Sequence, residues 1–342
     1  MRQVWIPKIG GPDVLEIREA AEPEPREGEV TIRVAAAGVN FADILARMGL
    51  YPDAPRLPAV VGYEVAGRVE RVGAGVTRPV AGARVVALTR FGGYSEVVAV
   101  PAAQVVEIPD RLDFSQAAAI PVNYVTAWLM LVRLGNVRAG ERVLVHAAAG
   151  GVGQAALQIC RWRGAQVLGT ASAGKHARLA SQGVAHCIDY MRQDFEAEVR
   201  RITGGAGVDI VLDAVGGRSF AKSYRCLGPL GRLFVFGASS FAPGERRSLL
   251  AAAHGLLTLP AFRPLALMRD NRGVFGVNVG HLWRQAATLR EMLEEIVGLA
   301  GAGIFAPVVD RAFAFDHAGD AHAFMQARRN FGKVLLTPRA SP

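Results

Sequence analysis

The sequence predicts an α/β protein in two parts, a β-rich barrel-like domain and a doubly wound parallel sheet. Three observations carry that expectation. Up to about residue 121, short alternating apolar runs are broken by Gly and Pro turns, as in an antiparallel β-rich domain. After residue 115, strand-length and helix-length patterns alternate, as in a parallel sheet with crossover helices. Residues 141–163 read ERVLVHAAAGGVGQAALQICRWR, a strand that turns through the smallest side chains directly into a helix.

In chain order, residues 2–6 and 15–17 are expected as short strands around a Gly-Gly-Pro turn, and 29–37 as a longer one after a Pro/Glu-rich connection. Residues 40–49 place Phe41, Ile44, Leu45 and Met48 at helical spacing. Further strands are expected at 60–72, 83–88, 94–100 and 105–108. A helical stretch over 116–134 leads into the strand at 142–146. Strands at 166–170, 185–189, 208–214, 231–237 and 274–279 follow, with helices at 175–182, 195–203 and 219–227 between them. An amphipathic helix over 285–299 and a last strand at 333–336 are expected to return to the first domain.

The 342 residues suit two domains of ordinary size. With 51% hydrophobic and 20% charged residues, a sizeable core can be buried and general disorder is not expected. A net charge of +9 and a pI near 10 favour anionic ligands such as phosphorylated cofactors. The basic residues are spread, with Arg246–Arg247 and Arg328–Arg329 as isolated pairs, so nucleic acid is not expected as the main partner. Cys160, Cys187 and Cys226 lie far apart without CxxC spacing, which fits free thiols in a reducing compartment. No N-terminal apolar run has signal-peptide length. The most apolar segment, 249–262, is interrupted by His254 and Pro260 and is too short to span a bilayer. A soluble, cytoplasmic protein is the expectation.

In residues 147–153 only Val152 is larger than alanine. Such a turn gathers backbone N–H groups and the positive end of a helix at one point, where a pyrophosphate binds without a side chain. Ala148, Gly150 and Gly153 fill the places of a three-glycine fingerprint, the first relaxed to alanine, and Gly151 and Val152 complete the turn. After the second strand of such a site an acid usually bonds the ribose 2′-hydroxyl of NAD. This chain reads GTASAGK over 169–175, with no acid. A carboxylate would repel a 2′-phosphate, whereas Ser172 and Lys175 can bind one, so NADPH is the expected cofactor.

Five stretches occur in order: GVNFADILARMGLY (38–51), VGYEVAGRVERVGAGV (61–76), HAAAGGVG (146–153), ITGGAGVDIVLDAVGG (202–217) and GKVLL (332–336). Together they resemble the zinc-independent quinone oxidoreductases of the medium-chain dehydrogenase/reductase superfamily, over nearly the whole chain. The resemblance implies a GroES-like barrel catalytic domain, residues 1–122 completed by 281–342, with a Rossmann NADPH-binding domain, 123–280, inserted between them. Catalytic zinc needs ligands, usually three, meeting at one point. Where zinc members of that superfamily carry a cysteine, residues 40–43 have none, and where they carry Gly-His-Glu this chain has Gly62-Tyr63-Glu64. The four-cysteine lobe is missing as well, because 91–98 runs on to the next strand. No metal is therefore expected. Without a Lewis acid, hydride reduction of a conjugated acceptor, which delocalises the incoming charge, fits better than alcohol oxidation.

The resemblance also nominates Asn40, Asp43 and Tyr51 as the catalytic group. Asn40 and Tyr51 could hydrogen-bond the acceptor oxygen as charge develops. Asp43 is expected to orient, since a free carboxylate beside a nascent enolate is repulsive. Asn123 and Thr126 are implied at the start of the second domain, with Thr126 near the nicotinamide. Tyr190 is implied beside Ser172 and Lys175. Gly237, Ala238 and Ser239, and Phe275, Gly276, Val277 and Asn278 after the sixth strand, are implied near the carboxamide. His146 is read as structural, with no Ser/His/Asp arrangement expected.

Two other activities share these features: reduction of the double bond of an enal, enone or enoyl thioester, and an NADPH-binding protein without enzymatic role, associated with RNA or membrane, using 251–262 as a partner surface. The strand at 274–279, apolar and without proline or charge, is expected as an exposed sheet edge that pairs two copies into a homodimer.

Overall fold

The computed structural model describes residues 1–338; positions 339–342, the end of the expected range 281–342, lie outside the described residues. The first seven strands are β1 (Arg2–Trp5), β2 (Glu16–Glu19), β3 (Glu29–Val39), β4 (Glu64–Val72), β5 (Arg84–Leu88), β6 (Val97–Pro101) and β7 (Val105–Glu107), with α1 (Phe41–Arg47) between β3 and β4. Helices α2 (Phe114–Ala118) and α3 (Pro121–Trp128) follow, and α3 widens into a π-helical stretch at Leu129–Leu134. Then come β8 (Arg142–Val145), α4 (Gly151–Arg163), β9 (Gln166–Ala171), α5 (His176–Ser181), β10 (His186–Asp189) and α6 (Phe195–Ile202). They are followed by β11 (Val208–Asp213), α7 (Arg218–Arg225), β12 (Leu227–Val235), α8 (Leu249–Leu257), α9 (Pro264–Asp270) and β13 (Gly273–Gly276). The chain closes with α10 (Ala286–Gly301), β14 (Val309–Ala314), α11 (Ala318–Gln326) and β15 (Lys333–Thr337).

The chain divides into two units. Among the described residues, the first holds Met1–Val125, Gly244–Arg247 and 279–338; the second holds Thr126–Pro243 and Ser248–Asn278. Of the expected second domain, 123–280, residues 123–125, 244–247 and 279–280 fall in the first unit. Arg47 Nη2 donates to the Glu245 carbonyl at 3.2 Å and Gln326 Nε2 to that of Gly244 at 2.9 Å, which ties the 244–247 segment to α1 and α11.

In the first unit the strand order is β14-β15-β3-β4-β5-β7, with β6 also pairing β3, and β1 and β2 form a separate ribbon. Pairing is antiparallel except between β14 and β15. The long β3 alternates, and its Val30, Ile32 and Val34 join Val65, Val69, Val85, Val98 and Val334 in one core. Branched side chains suit that half-buried, pleated surface.

In the second unit six strands run parallel in the order β10-β9-β8-β11-β12-β13. The central stretches of β8, β11 and β12 are apolar because both faces are covered: Val143, Leu144, Val145, Ile210, Val211, Leu212, Leu233 and Phe234 are all buried. The order reverses between β8 and β11, and outside the carboxyl ends of strands at such a reversal an open parallel sheet presents a crevice.

Candidate active site

The glycine turn joins β8 to α4, a helix of 13 residues whose N-cap is Gly150 in an extended conformation. A Cβ on Gly153 would fall 2.5 Å from the carbonyl oxygens of both Ala147 and Ala148, so only glycine fits there. At Gly150 an added Cβ meets the Ala147 oxygen at 3.2 Å, a looser restriction. The alanine in the first place has its own explanation. Gly169 on β9 faces it, and a Cβ there would come 2.9 Å from that of Ala148, so the methyl absent at 169 makes room for the methyl present at 148. Sequence reasoning passed over Gly169, although a glycine inside an apolar strand signals a close approach. The Ala148 N–H donates to the Thr170 carbonyl at 3.1 Å, which fixes the turn against β9. Ala147 is left-handed, with φ of 51°, and its N–H donates to Thr170 Oγ1 at 3.3 Å.

A buried polar chain braces this turn from behind. His146 Nδ1 lies 3.1 Å from Thr170 Oγ1 and Nε2 lies 3.0 Å from Ser223 Oγ. Ser223 and Ser219 each donate a hydroxyl to Asp213 Oδ2 at 2.7 Å, and the Val215 N–H donates to Oδ1 at 2.7 Å. Since the Ser223 proton is committed to the carboxylate, its oxygen accepts from His146 Nε2–H, and Thr170 then donates to Nδ1. Burial holds the imidazole below its ordinary pKa, with Asp213 opposing, so the ring is neutral. Serine, histidine and aspartate do meet here, but the serine bonds the aspartate and all three are buried. The group ties the ends of β8, β9 and β11 to α7.

Several other expected dinucleotide residues stand at the carboxyl ends of the parallel strands. Ser172 follows β9 and precedes a 3-10 turn, Ala173–Lys175, in which the Lys175 N–H donates to the Ser172 carbonyl at 3.0 Å. One turn therefore carries both side chains. Tyr190 directly follows β10. Gly237, Ala238 and Ser239 follow β12, and the Ser239 N–H donates to Ala214 at 3.0 Å. Phe275 lies within β13 rather than after it, its ring stacked on Phe234 with centroids 5.0 Å apart. Gly276 ends that strand, the Val277 N–H donates to Val235 at 2.9 Å, and Asn278 is exposed. Thr126, buried, begins the unit.

In the first unit Asn40 stands between β3 and α1. Its backbone N–H donates to Asp43 Oδ2 at 2.8 Å, the Gly62 N–H donates to Oδ1 at 3.1 Å, and the Tyr94 hydroxyl donates to Oδ2 at 3.0 Å. Burial pushes the Asp43 carboxyl up to about 7, opposed by these donors and by Lys333. Asp43 has no exposed surface and accepts all three of these donors. The Asn40 amide is held at both ends: Nδ2 donates to Glu64 Oε1 at 2.9 Å, and Lys333 Nζ donates to Oδ1 at 2.7 Å. Glu64 and Lys333 also pair with each other. Neither was foreseen, although a lysine in the apolar run KVLLT needs a buried partner. Tyr51, half-buried, sets its ring edge-on to Tyr63 with centroids 6.2 Å apart, and Tyr63 in turn meets Phe91 at 5.4 Å. Burial raises the Tyr63 phenol well above its ordinary pKa. Asn123 Nδ2 donates to the Ala119 carbonyl at 3.1 Å. Among the described residues no three His, Cys, Asp or Glu side chains cluster to hold a metal ion, and no helix is long and apolar enough to cross a membrane.

Known proteins align with both units. The model described as "Alcohol dehydrogenase GroES-like domain" matches residues 26–110, and the one described as "Zinc-binding dehydrogenase" matches 182–336. The chain is 41% identical over 341 residues to the synaptic vesicle membrane protein VAT-1 homolog of Rattus norvegicus, covering 99% of this chain and 84% of that relative. It is 36% identical over 340 residues to a quinone oxidoreductase of Pseudomonas aeruginosa, covering 98% and 99%. The solved Escherichia coli quinone oxidoreductase complexed with NADPH superposes with a TM-score of 0.87 at 31% identity, covering 99% of this chain and 100% of that one. With both units accounted for at full length, the chain belongs to the quinone oxidoreductase-like family of the medium-chain dehydrogenase/reductase superfamily.

Proposed function

We propose that this protein is a zinc-independent, NADPH-dependent quinone oxidoreductase acting as a homodimer. The observation that carries the reading is the acid-free end of β9: Ser172 and Lys175 share one turn where an NAD site would hold a carboxylate. NADPH supplies a hydride when bound. Gly150, Gly151, Val152 and Gly153 offer backbone N–H groups to its pyrophosphate at the head of α4. Ser172, Lys175 and Tyr190 take the 2′-phosphate, and Gly237, Ala238, Ser239, Val277 and Asn278 flank the nicotinamide. Asn40 and Tyr51 donate to the quinone oxygen as negative charge builds, and such donors are most effective when fixed in advance. Asp43 fixes the head of α1. Tyr63, where zinc relatives carry histidine, provides an aromatic neighbour to Tyr51 in place of a ligand. The name of the P. aeruginosa relative and the NADPH in the E. coli structure support this assignment. The homodimer rests on β13, one of the two outer strands of the parallel sheet, which carries neither proline nor charge.

The test is NADPH consumption with 9,10-phenanthrenequinone, 1,2-naphthoquinone, simple enones and enoyl-CoA esters. Quinone turnover that prefers NADPH to NADH and ignores chelator is expected. Turnover confined to enoyl thioesters would replace quinone reduction by double-bond reduction, and no turnover with any acceptor would defeat the enzymatic reading.

Association with a membrane surface is a second reading, favoured by α8, where Leu250 and Leu257 are 85% and 86% exposed, and by the name of the rat relative. Flotation with anionic vesicles that is lost in Leu250→Ser/Leu257→Ser supports it; wild-type protein left at the bottom of the gradient rejects it.

A further inference from the structure

Removing two charges from water is costly and is offset only by close geometry and complete hydrogen bonding. Lys333, 2% exposed, and Glu64, 0% exposed, nevertheless form a buried ion pair, and both end on one neutral side chain, the amide of Asn40. The backbone makes room for them. A Cβ on Gly38 would lie 2.2 Å from Glu64 Oε1 and 2.6 Å from Lys333 Cε. The second Glu64 oxygen accepts the Val122 N–H at 2.7 Å at the head of α3, so the carboxylate is held at both ends.

This arrangement permits one amide orientation. Turned over, Asn40 would set its NH2 against an ammonium and its oxygen against a carboxylate. As it stands, one Nδ2 hydrogen goes to Glu64, and the other has only the Gly38 carbonyl at 3.4 Å, a long contact. That second hydrogen is the donor the amide has left for an acceptor oxygen.

We propose that the Lys333–Glu64 pair is a positioning element for Asn40, locking the amide so that its weakly held hydrogen is ready for the oxygen of the acceptor. The identity of the acceptor rests on the quinone oxidoreductase reading; the lock rests on the geometry alone. Lys333→Met should lower kcat for quinone by about ten- to hundredfold, somewhat less than outright removal of an oxyanion donor. The NADPH dissociation constant, read by nicotinamide fluorescence, should not change. In an Asn40→Ala background the same substitution should have no further effect, because Lys333 would have nothing left to position. Additive losses would overturn the proposal. Where the single change leaves too costly a carboxylate for folding, Lys333→Met/Glu64→Gln removes both charges and enters the same cycle; failure of that neutral pair to fold would make the ion pair a structural requirement and overturn the proposal too.

A second readout needs no substrate. Solvent exchange of the Asn40 side-chain amide protons, assigned by NMR through their loss in Asn40→Ala, should be about tenfold faster in Lys333→Met, as for other local openings. Unchanged exchange would refute the lock. A wild type that reduces no quinone would refute the function while leaving this measurement decisive.

Discussion

Gly169→Ala adds one methyl to the middle of β9. Its Cβ would sit 2.9 Å from Ala148 Cβ and 3.3 Å from Val184 Cγ1, where non-bonded carbons rest at roughly 3.5–4.0 Å. The valine can turn aside. Ala148 has less freedom, because its N–H is bonded to Thr170 and its carbonyl closes over Gly153. Overpacking of this kind costs typically about 1–3 kcal/mol. At roughly 2–4 °C per kcal/mol, the melting temperature of the cofactor-free protein should fall by about 2–12 °C. The displaced Ala148 carbonyl also disturbs the phosphate turn, so NADPH should bind about tenfold more weakly, equivalent to about 1.4 kcal/mol. Calorimetry and nicotinamide fluorescence measure the two losses. Ala148→Gly removes the facing methyl, and combined with Gly169→Ala it should recover most of both. A double variant as unstable as Gly169→Ala alone would show that the two methyls do not compete, and the explanation for alanine in the first place of the fingerprint would fail.

Lys175→Ala removes a charge-assisted contact worth roughly 1.5–3 kcal/mol, raising the NADPH dissociation constant about ten- to hundredfold while NADH binding stays as it was. Gly153→Ala, which strikes two carbonyls at 2.5 Å, should weaken both cofactors alike, and equal losses in Lys175→Ala would misplace the phosphate pocket. Asp43, held at about 7 in the fold against 3.8 for the free side chain, binds a proton in that interval only when folded. Its contribution to stability is therefore fully present below pH about 4 and is lost as the pH rises towards 7. Urea unfolding of Asp43→Asn from pH 5 to 7 should lack that downward component, and a slope identical to wild type contradicts it. Light scattering should give a dimer at micromolar concentration and a monomer for Val274→Lys on the β13 edge; a monomeric wild type ends that proposal.

The parallel sheet was legible because its central strands carry short apolar stretches covered on both faces, with helices between them; β11 falls at Val208–Asp213 where residues 208–214 were expected. The strand β14 and helix α11 escaped notice. β14 carries Arg311 and Ala312 exposed at the end of the barrel sheet, with β15 its one partner, so no alternation marks it. α11 reads AGDAHAFMQ, whose alanines blur the apolar stripe. The sixth parallel strand ends at Gly276, short of the expected Val279, with the polar, exposed Asn278 soon after it. In the site, the glycine turn was readable because its chemistry is backbone chemistry and small residues announce it. The group around Asn40 was not, since Lys333 reaches it across 293 positions. The sequence shows that a lysine sits in an apolar strand and a glutamate at the head of another. It does not show that the two share an amide. Thr170, Ser223 and Asp213 are equally ordinary in isolation, and only folding brings them to His146.

The most direct measurement is a single turnover under anaerobic conditions. Chelator-treated protein loaded with one equivalent of NADPH is mixed with 9,10-phenanthrenequinone, and the reduced nicotinamide absorbance is followed. The account predicts complete oxidation at a rate indifferent to chelator, slower when the transferred position carries deuterium, and much slower with NADH at the same concentration. No oxidation, oxidation only after zinc is restored, or equal rates with NADH and NADPH would contradict it.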